Sequence, residues 1–234
     1  MKVGITLPQF RDDAEAAVQV ALDAEAAGLD GVFVFDHMWP IGQPQRPAIH
    51  SQAMLGVLAA ETSSVHVGAL VARVGLVPNA VLVHALATVH RMVGDRLIAG
   101  VGSGDRLSQA ENEAYGVAFA PAPVRLAAVG EAARALGDKG ITTWVGGRST
   151  GARRVAIDAG ADALNLWDAP VEEVAATRGI AVTWGGLVKP EDDLNVLLGG
   201  LAAAGVTWAV LAPVGFDWHE AVTAIASAAS AVRQ

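Results

Sequence analysis

One joint recurs three times in this chain and limits what it can fold into. Ala26-Ala27-Gly28-Leu29-Asp30-Gly31 runs into Val32-Phe33-Val34-Phe35, Ala159-Gly160-Ala161-Asp162 into Ala163-Leu164-Asn165-Leu166, and Ala203-Ala204-Gly205-Val206 into Trp208-Ala209-Val210-Leu211. Each is an Ala-rich helix stopped by a glycine just past its end, with a strand starting a few residues on. That is the αβ loop of a parallel sheet.

The other strands fall into place around these joints. Apolar runs put strands near residues 3–7, 31–35, 65–71, 97–101, 142–145, 162–166, 180–184 and 207–212, with helical patterns between them and after the last. In the first helix, Asp12 and Glu15 have capping-box spacing, and Ala17, Val18, Ala21 and Leu22 make one apolar stripe. Eight strand–helix units in 234 residues match a compact (β/α)₈ TIM barrel, typically ~250 residues. A doubly wound open sheet is the alternative if one or two strands are miscounted. No linker or low-complexity stretch divides the chain, so residues 1–234 are expected to form one domain.

Composition narrows the function. The chain is 53% apolar and 17% charged, as a well-buried α/β domain should be. A net charge of −8 without any Lys/Arg run argues against a nucleic-acid partner. With no cysteine there is no disulfide, thiolate nucleophile or Cys-type metal site. Met1-Lys2-Val3-Gly4-Ile5 reads as a strand from the start, so no signal peptide is expected. The densest apolar region, Val65 to Val93, is broken by Arg73, Pro78-Asn79 and His84, so no membrane span is expected and the location is expected to be cytoplasmic.

Barrel chemistry sits at the C-terminal ends of the strands. The most informative end is Leu97-Ile98-Ala99-Gly100-Val101-Gly102-Ser103-Gly104-Asp105: a buried strand, glycines that permit a sharp turn and close approach, then a carboxylate. It is not a dinucleotide fingerprint, because residue 105 is Asp where the third glycine would stand, and no Gly-Lys-Ser/Thr makes it a P-loop. Asp36-His37 follows the second strand; it suits proton transfer or a hydrogen bond to a bound ring, and equally a polar pair that satisfies its own loop. Gly146-Gly147-Arg148-Ser149 opens a helix and suits a phosphate, or is an ordinary turn capped by Ser149. Trp39, Trp167 and Trp184, at or beyond strand ends, either wall a flat ligand or fill the barrel mouth. None of the six His forms a His-x-His pair, so metal hydrolysis is poorly supported, and a Ser nucleophile is not expected either.

In this order, Gly4-Ile5-Thr6-Leu7-Pro8-Gln9, Ala27-Gly28-Leu29-Asp30-Gly31 to Phe35-Asp36-His37, Val67-Gly68-Ala69-Leu70-Val71, Asp95-Arg96-Leu97 through Asp105 to Glu111-Asn112-Glu113-Ala114-Tyr115-Gly116, and Trp144-Val145-Gly146-Gly147 resemble the luciferase-like monooxygenase superfamily, in its branch using the deazaflavin coenzyme F-420. The resemblance implies a barrel with a flavin-like ring across its mouth. It implies Asp36-His37 against the ring and an acid, here Asp105, assisting proton transfer. It also implies a cofactor phosphate at the Gly146-Gly147 turn, and a bulge with a non-proline cis peptide at Leu70–Val71 behind the ring. His37 and Asp105 are thus the catalytic candidates, and Asp36, Leu70, Val71, Gly102, Gly104, Ser108, Gly146, Gly147 and Arg148 the cofactor-binding ones. Relatives carry lid segments after the fourth and later strands. Phe119 to Gly140 has room for little more than one helix and Asp168 to Ile180 for one short one, so an open pocket is expected.

Three functions follow from the resemblance. One is hydride transfer between the deazaflavin and an unidentified small organic substrate; another is an FMN-dependent monooxygenase; the third is a non-catalytic barrel that binds either cofactor. The helix from Ala80 to Val93 carries Val81, Leu82, Val83, Leu86, Val89, Met92 and Val93 on more than one face, which points to a homodimer, as does the resemblance.

Overall fold

The computed structural model describes residues 1–233. Among these residues, strands and helices alternate as β1 (Lys2–Thr6), α1 (Glu15–Ala26), β2 (Gly31–Val34), α2 (Ser51–Glu61), β3 (His66–Arg73), α3 (Asn79–Val93), β4 (Leu97–Gly102), α4 (Gln109–Ala114), α5 (Ala122–Gly137), β5 (Thr142–Gly146), α6 (Thr150–Asp158), β6 (Ala163–Trp167), α7 (Val171–Ala176), β7 (Val182–Val188), α8 (Leu194–Ala203), β8 (Trp208–Pro213) and α9 (Trp218–Arg233). Each strand pairs in parallel with the next, and β8 returns to β1, with Val3 opposite Ala209. This closure makes the fold a (β/α)₈ TIM barrel and excludes the doubly wound sheet. No helix among the described residues is long and apolar enough to cross a membrane.

The recurring joint forms the same motif each time. Gly28, Gly160 and Gly205 have φ of 78°, 69° and 83°, the left-handed region that a residue with a Cβ resists. The residue after each glycine donates its N–H back into the helix: Leu29 to Ala24, Ala161 to Ala156, Val206 to Leu201. This is the Schellman end that satisfies the last carbonyls of a helix.

The start of α1 departs from expectation. Asp12 and Glu15 do not form a capping box; the N-cap is Ala14, without a side-chain cap, and Asp13 Oδ1 accepts from the Ala16 N–H at 3.2 Å. The buried face is Ala17, Val20, Ala21 and Ala24, while Val18 and Leu22 are half-buried at its edge. Alanines occupy the face because they let the helix lie close against the barrel.

Inside the barrel, three aromatic rings close the lower end. Phe33 stacks on Trp144 at 5.5 Å, and Trp208 meets both edge-on at 5.8 and 5.6 Å. Glycines make the room: a Cβ on Gly4 or Gly68 would lie 2.8 Å from the Phe33 ring. At the upper end, β3 slips register on β4 between Ala69 and Ala72, and the Leu70–Val71 peptide bond there is cis, as the resemblance implies.

The apolar excess of α3 is largely consumed within the chain. Leu82, Val83, Leu86, Val89 and Val93 are buried, because α3 packs on α2 and α5 as well as on the strands; Val81 and Met92 remain exposed.

Candidate active site

The strand ends enclose a cleft of about 470 Å³, within the range of small-molecule sites, roughly 300–1,000 Å³. Its aromatic wall comes from three strand exits: Phe10 stacks on Phe35 at 6.0 Å, and Trp167 meets Phe35 edge-on at 5.5 Å. Buried Gln9 ties the first two exits together, donating to the Phe35 carbonyl at 2.7 Å and accepting from the Phe35 N–H. Trp167 alone of the three tryptophans singled out from the sequence reaches the cleft. Trp39 stacks on Tyr115 outside it, and Trp184 is buried, with Nε1 donating to the Ala169 carbonyl.

Behind one wall lies a buried polar network centred on Glu111, whose side chain is wholly inaccessible. Its Oε1 is 2.7 Å from His37 Nδ1, and its Oε2 accepts from the Met38 N–H at 2.9 Å and from Arg73 Nη2 at 2.8 Å. Burial opposes ionisation of Glu111. The hydrogen bonds from His37 and Met38, with the charges of His37 and Arg73, outweigh it and hold the carboxyl below its usual range. A carboxylate facing Nδ1 requires that nitrogen to carry hydrogen, which leaves Nε2 of His37 as the free atom on the cleft. His37 is 20% exposed and lines the cleft, and Nε2 has no partner among the described residues.

Asp36 has a different role from the one its neighbour suggests. Its Oδ1 accepts from Ser51 Oγ at 2.6 Å and its Oδ2 from the Arg73 N–H at 2.7 Å, while Arg73 Nε donates to the Asp36 carbonyl at 2.7 Å. Asp36 therefore fastens the end of β2 to β3 and to the start of α2, and so fixes the backbone from which His37 projects.

The glycines of the β4 exit make room chiefly for the protein itself. A Cβ on Gly102 would lie 2.4 Å from Val71 Cγ2, and one on Gly146 2.9 Å from Val71 Cγ1. A Cβ on Gly100 would lie 2.2 Å from the Ala69 carbonyl oxygen. Val71, raised by the β3 bulge, is thus seated among glycines at the cleft wall. Gly104 (φ 62°) turns the chain into Asp105, which is exposed; its Oδ1 accepts from the N–H groups of Leu107 (2.8 Å) and Ser108 (3.2 Å). One carboxylate oxygen of Asp105 is therefore engaged as a cap. Ser108 is buried beneath this turn.

All the catalytic and cofactor-binding candidates named from the sequence line the cleft except Arg148. Arg148 turns outward, with Nε 3.0 Å from Glu173 Oε1, so it is already neutralised away from the site. The helix that it precedes is capped as an ordinary turn, Ser149 Oγ accepting from the Ala152 N–H at 3.0 Å. The sequence reading missed Glu111 and Arg73 as functional groups. Glu111 lies 74 residues from His37, and only its place in the family motif marked it. Asn165, buried on the cleft wall with Nδ2 donating to Thr183 Oγ1 at 3.0 Å, gave no signal at all.

The fold and the site together define a (β/α)₈ barrel with an aromatic-walled cleft and a carboxylate-held histidine at its strand ends. Residues 1–146 match the family model of the luciferase-like monooxygenases, and the chain belongs to that family. It is 35% identical over 117 residues to the F420-dependent glucose-6-phosphate dehydrogenase of Kineococcus radiotolerans, covering 50% of this chain and 34% of that one. The enzyme of the same name from Tsukamurella paurometabola is 37% identical over 93 residues, covering 39% and 28%. The matches span about a third of the length of these curated relatives. Among solved structures, an F420-dependent secondary alcohol dehydrogenase in complex with an F420-acetone adduct superposes with a TM-score of 0.81 at 15% identity, each chain covered in full. The coenzyme F420-dependent tetrahydromethanopterin reductase of Methanopyrus kandleri gives 0.74 at 12%, covering 97% of this chain and 98% of that one. These likenesses establish the fold.

Proposed function

We propose that this protein is an oxidoreductase that transfers a hydride between the deazaflavin coenzyme F-420 and a small organic substrate. The observation that carries the reading is the Glu111–His37 pair, which presents a free imidazole Nε2 to an aromatic-walled cleft. The lining suits a flat heterocycle: Phe10, Phe35 and Trp167 supply ring faces and edges, and Leu70 and Val71 a smooth apolar support. The turn at Gly146-Gly147 and the first turn of α6 are the candidates for the cofactor's phosphate, without help from Arg148. The bound deazaflavin would supply the two-electron chemistry. His37 would hold or accept the proton, and Glu111 would fix its tautomer and stabilise the imidazolium. Asp105, at the cleft edge, has one carboxylate oxygen free of its cap to assist. The matches to F420-dependent dehydrogenases support a deazaflavin over FMN.

Fluorescence titration of the purified protein with coenzyme F-420 and with FMN tests the reading. Saturable quenching by F-420 and weaker binding of FMN is the expected result. The reverse preference would assign an FMN-dependent chemistry to the same barrel, and no binding of either would overturn the cofactor reading.

A further inference from the structure

The matched relatives named above act on a sugar phosphate, and an enzyme for such a substrate needs cationic groups that face it. This cleft has none to offer. Arg73 is the one cation on its wall among the described residues; it is 4% exposed, and its guanidinium is held by Glu111 and the Asp36 carbonyl. The arginines of the surrounding loops are engaged elsewhere: Arg46 donates to the Phe10 carbonyl and Gln43, Arg125 to the Ser103 and Ala120 carbonyls, and Arg148 pairs with Glu173. Arg106 is exposed and does not line the cleft. None of the chain's three lysines lines it. Exposed Asp105 on the wall would instead repel a phosphate dianion.

The rim is apolar as well. Ile41 and Leu187 are 45% and 51% exposed, yet both border the cleft beside Pro40 and Phe10. The part of the cleft beneath this rim is walled by Phe10, Pro40, Ile41 and Leu187, with the His37 imidazole as a polar group placed to meet a substrate oxygen.

We infer that the substrate is an uncharged, largely apolar alcohol or the carbonyl compound it forms on oxidation, and not a sugar phosphate. The inference rests on the deazaflavin reading above and specifies its substrate. In the oxidising direction the alcohol O–H proton passes to His37 Nε2. A bound oxidised deazaflavin would supply the two-electron acceptor that balances the step, taking the carbinol hydrogen with its electron pair as the carbonyl compound forms. The Glu111 carboxylate faces the imidazolium so formed.

Saturation-transfer NMR tests the inference on the protein alone and with coenzyme F-420 added, using cyclohexanol, 1-phenylethanol and glucose 6-phosphate as probes. At least one uncharged alcohol should bind at least about tenfold more tightly than glucose 6-phosphate. In Leu187→Lys and Ile41→Lys the order should shift toward the phosphate. Equal or tighter binding of glucose 6-phosphate by the unmodified protein would overturn the substrate class, as would no saturation of either alcohol. Because binding of F-420 is read separately by fluorescence, a protein that takes the alcohols but not F-420 would refute the cofactor reading and leave the substrate class standing.

Discussion

At the scale of single residues, the site distributes two carboxylates that look alike in sequence between different tasks. Asp36 has both oxygens engaged in framework bonds, so its substitution should act on stability. His37→Ala should lower turnover by ~10²–10⁴, the usual contribution of a general acid–base group, with little change in F-420 affinity. Asp105→Asn keeps a capping oxygen on the Leu107 and Ser108 N–H groups and removes only the ionisable group. A fall in its turnover therefore reports proton transfer, and an unchanged rate assigns Asp105 to the cap alone. The glycines give a second prediction. Gly102→Ala drives a methyl into Val71 Cγ2 and should cost about 1–3 kcal/mol in urea unfolding. Adding Val71→Ala should recover much of that loss. The same second change should not rescue Gly100→Ala, whose methyl meets the Ala69 backbone oxygen. Equal rescue of both would refute the packing account.

At the scale of elements, helix ends were legible where a single residue type decides the geometry. Gly28, Gly160 and Gly205 each end a helix as their sequence context implies, because positive φ is a local property of glycine. The capping box at Asp12 was misread because its spacing is necessary but not sufficient: the chain enters α1 two residues later than the motif requires. A stronger local device lies at the other end of α1 and has no short-range signature. Glu25 Oε1 accepts from the N–H groups of Ser63, Ser64 and Val65 and from both serine hydroxyls, fixing the turn that feeds β3. Burial opposes ionisation, yet these hydrogen bonds prevail and bring the carboxyl down to about 2. A depressed folded-state value means that the contribution is complete above the ordinary carboxylate range, near pH 4.5, and fades as pH falls toward 2. Glu25→Gln should therefore lower Tm at pH 7, and the gap from the unmodified protein should narrow between pH 4.5 and 2. A gap that does not change with pH would show that the carboxylate's charge contributes nothing.

At the scale of the whole molecule, what the sequence could not reveal is what barrel closure brings together. The Phe33–Trp144–Trp208 plug joins β2, β5 and β8, and the His37–Glu111 pair joins the loop after β2 to α4; neither follows from periodicity along one segment. The eight strands were legible because three follow the same helix–glycine–strand joint and the others are short apolar runs between helical patterns. Closure also changes the argument for association. With most of the apolar surplus of α3 buried inside the chain, what remains is a narrow outer stripe of Val81, Ala85, Thr88 and Met92. Beside it, α2 presents Ala53, Gly56, Val57 and Ala60 outward, with no charged residue before Glu61 at its end. Two neighbouring helices that each carry an apolar outer stripe, that of α3 flanked by exposed His84 and Arg91, can approach their symmetry mates, and a two-fold contact buries both stripes at once. We propose that the protein pairs through this α2–α3 face. Light scattering at micromolar concentration should give twice the 23.9 kDa chain mass. Val57→Glu places a like charge twice in a two-fold contact and should give a monomer with an unchanged circular dichroism spectrum. A monomer mass for the unmodified protein would refute pairing, and a dimer that survives Val57→Glu and Val81→Glu together would place the contact on another face.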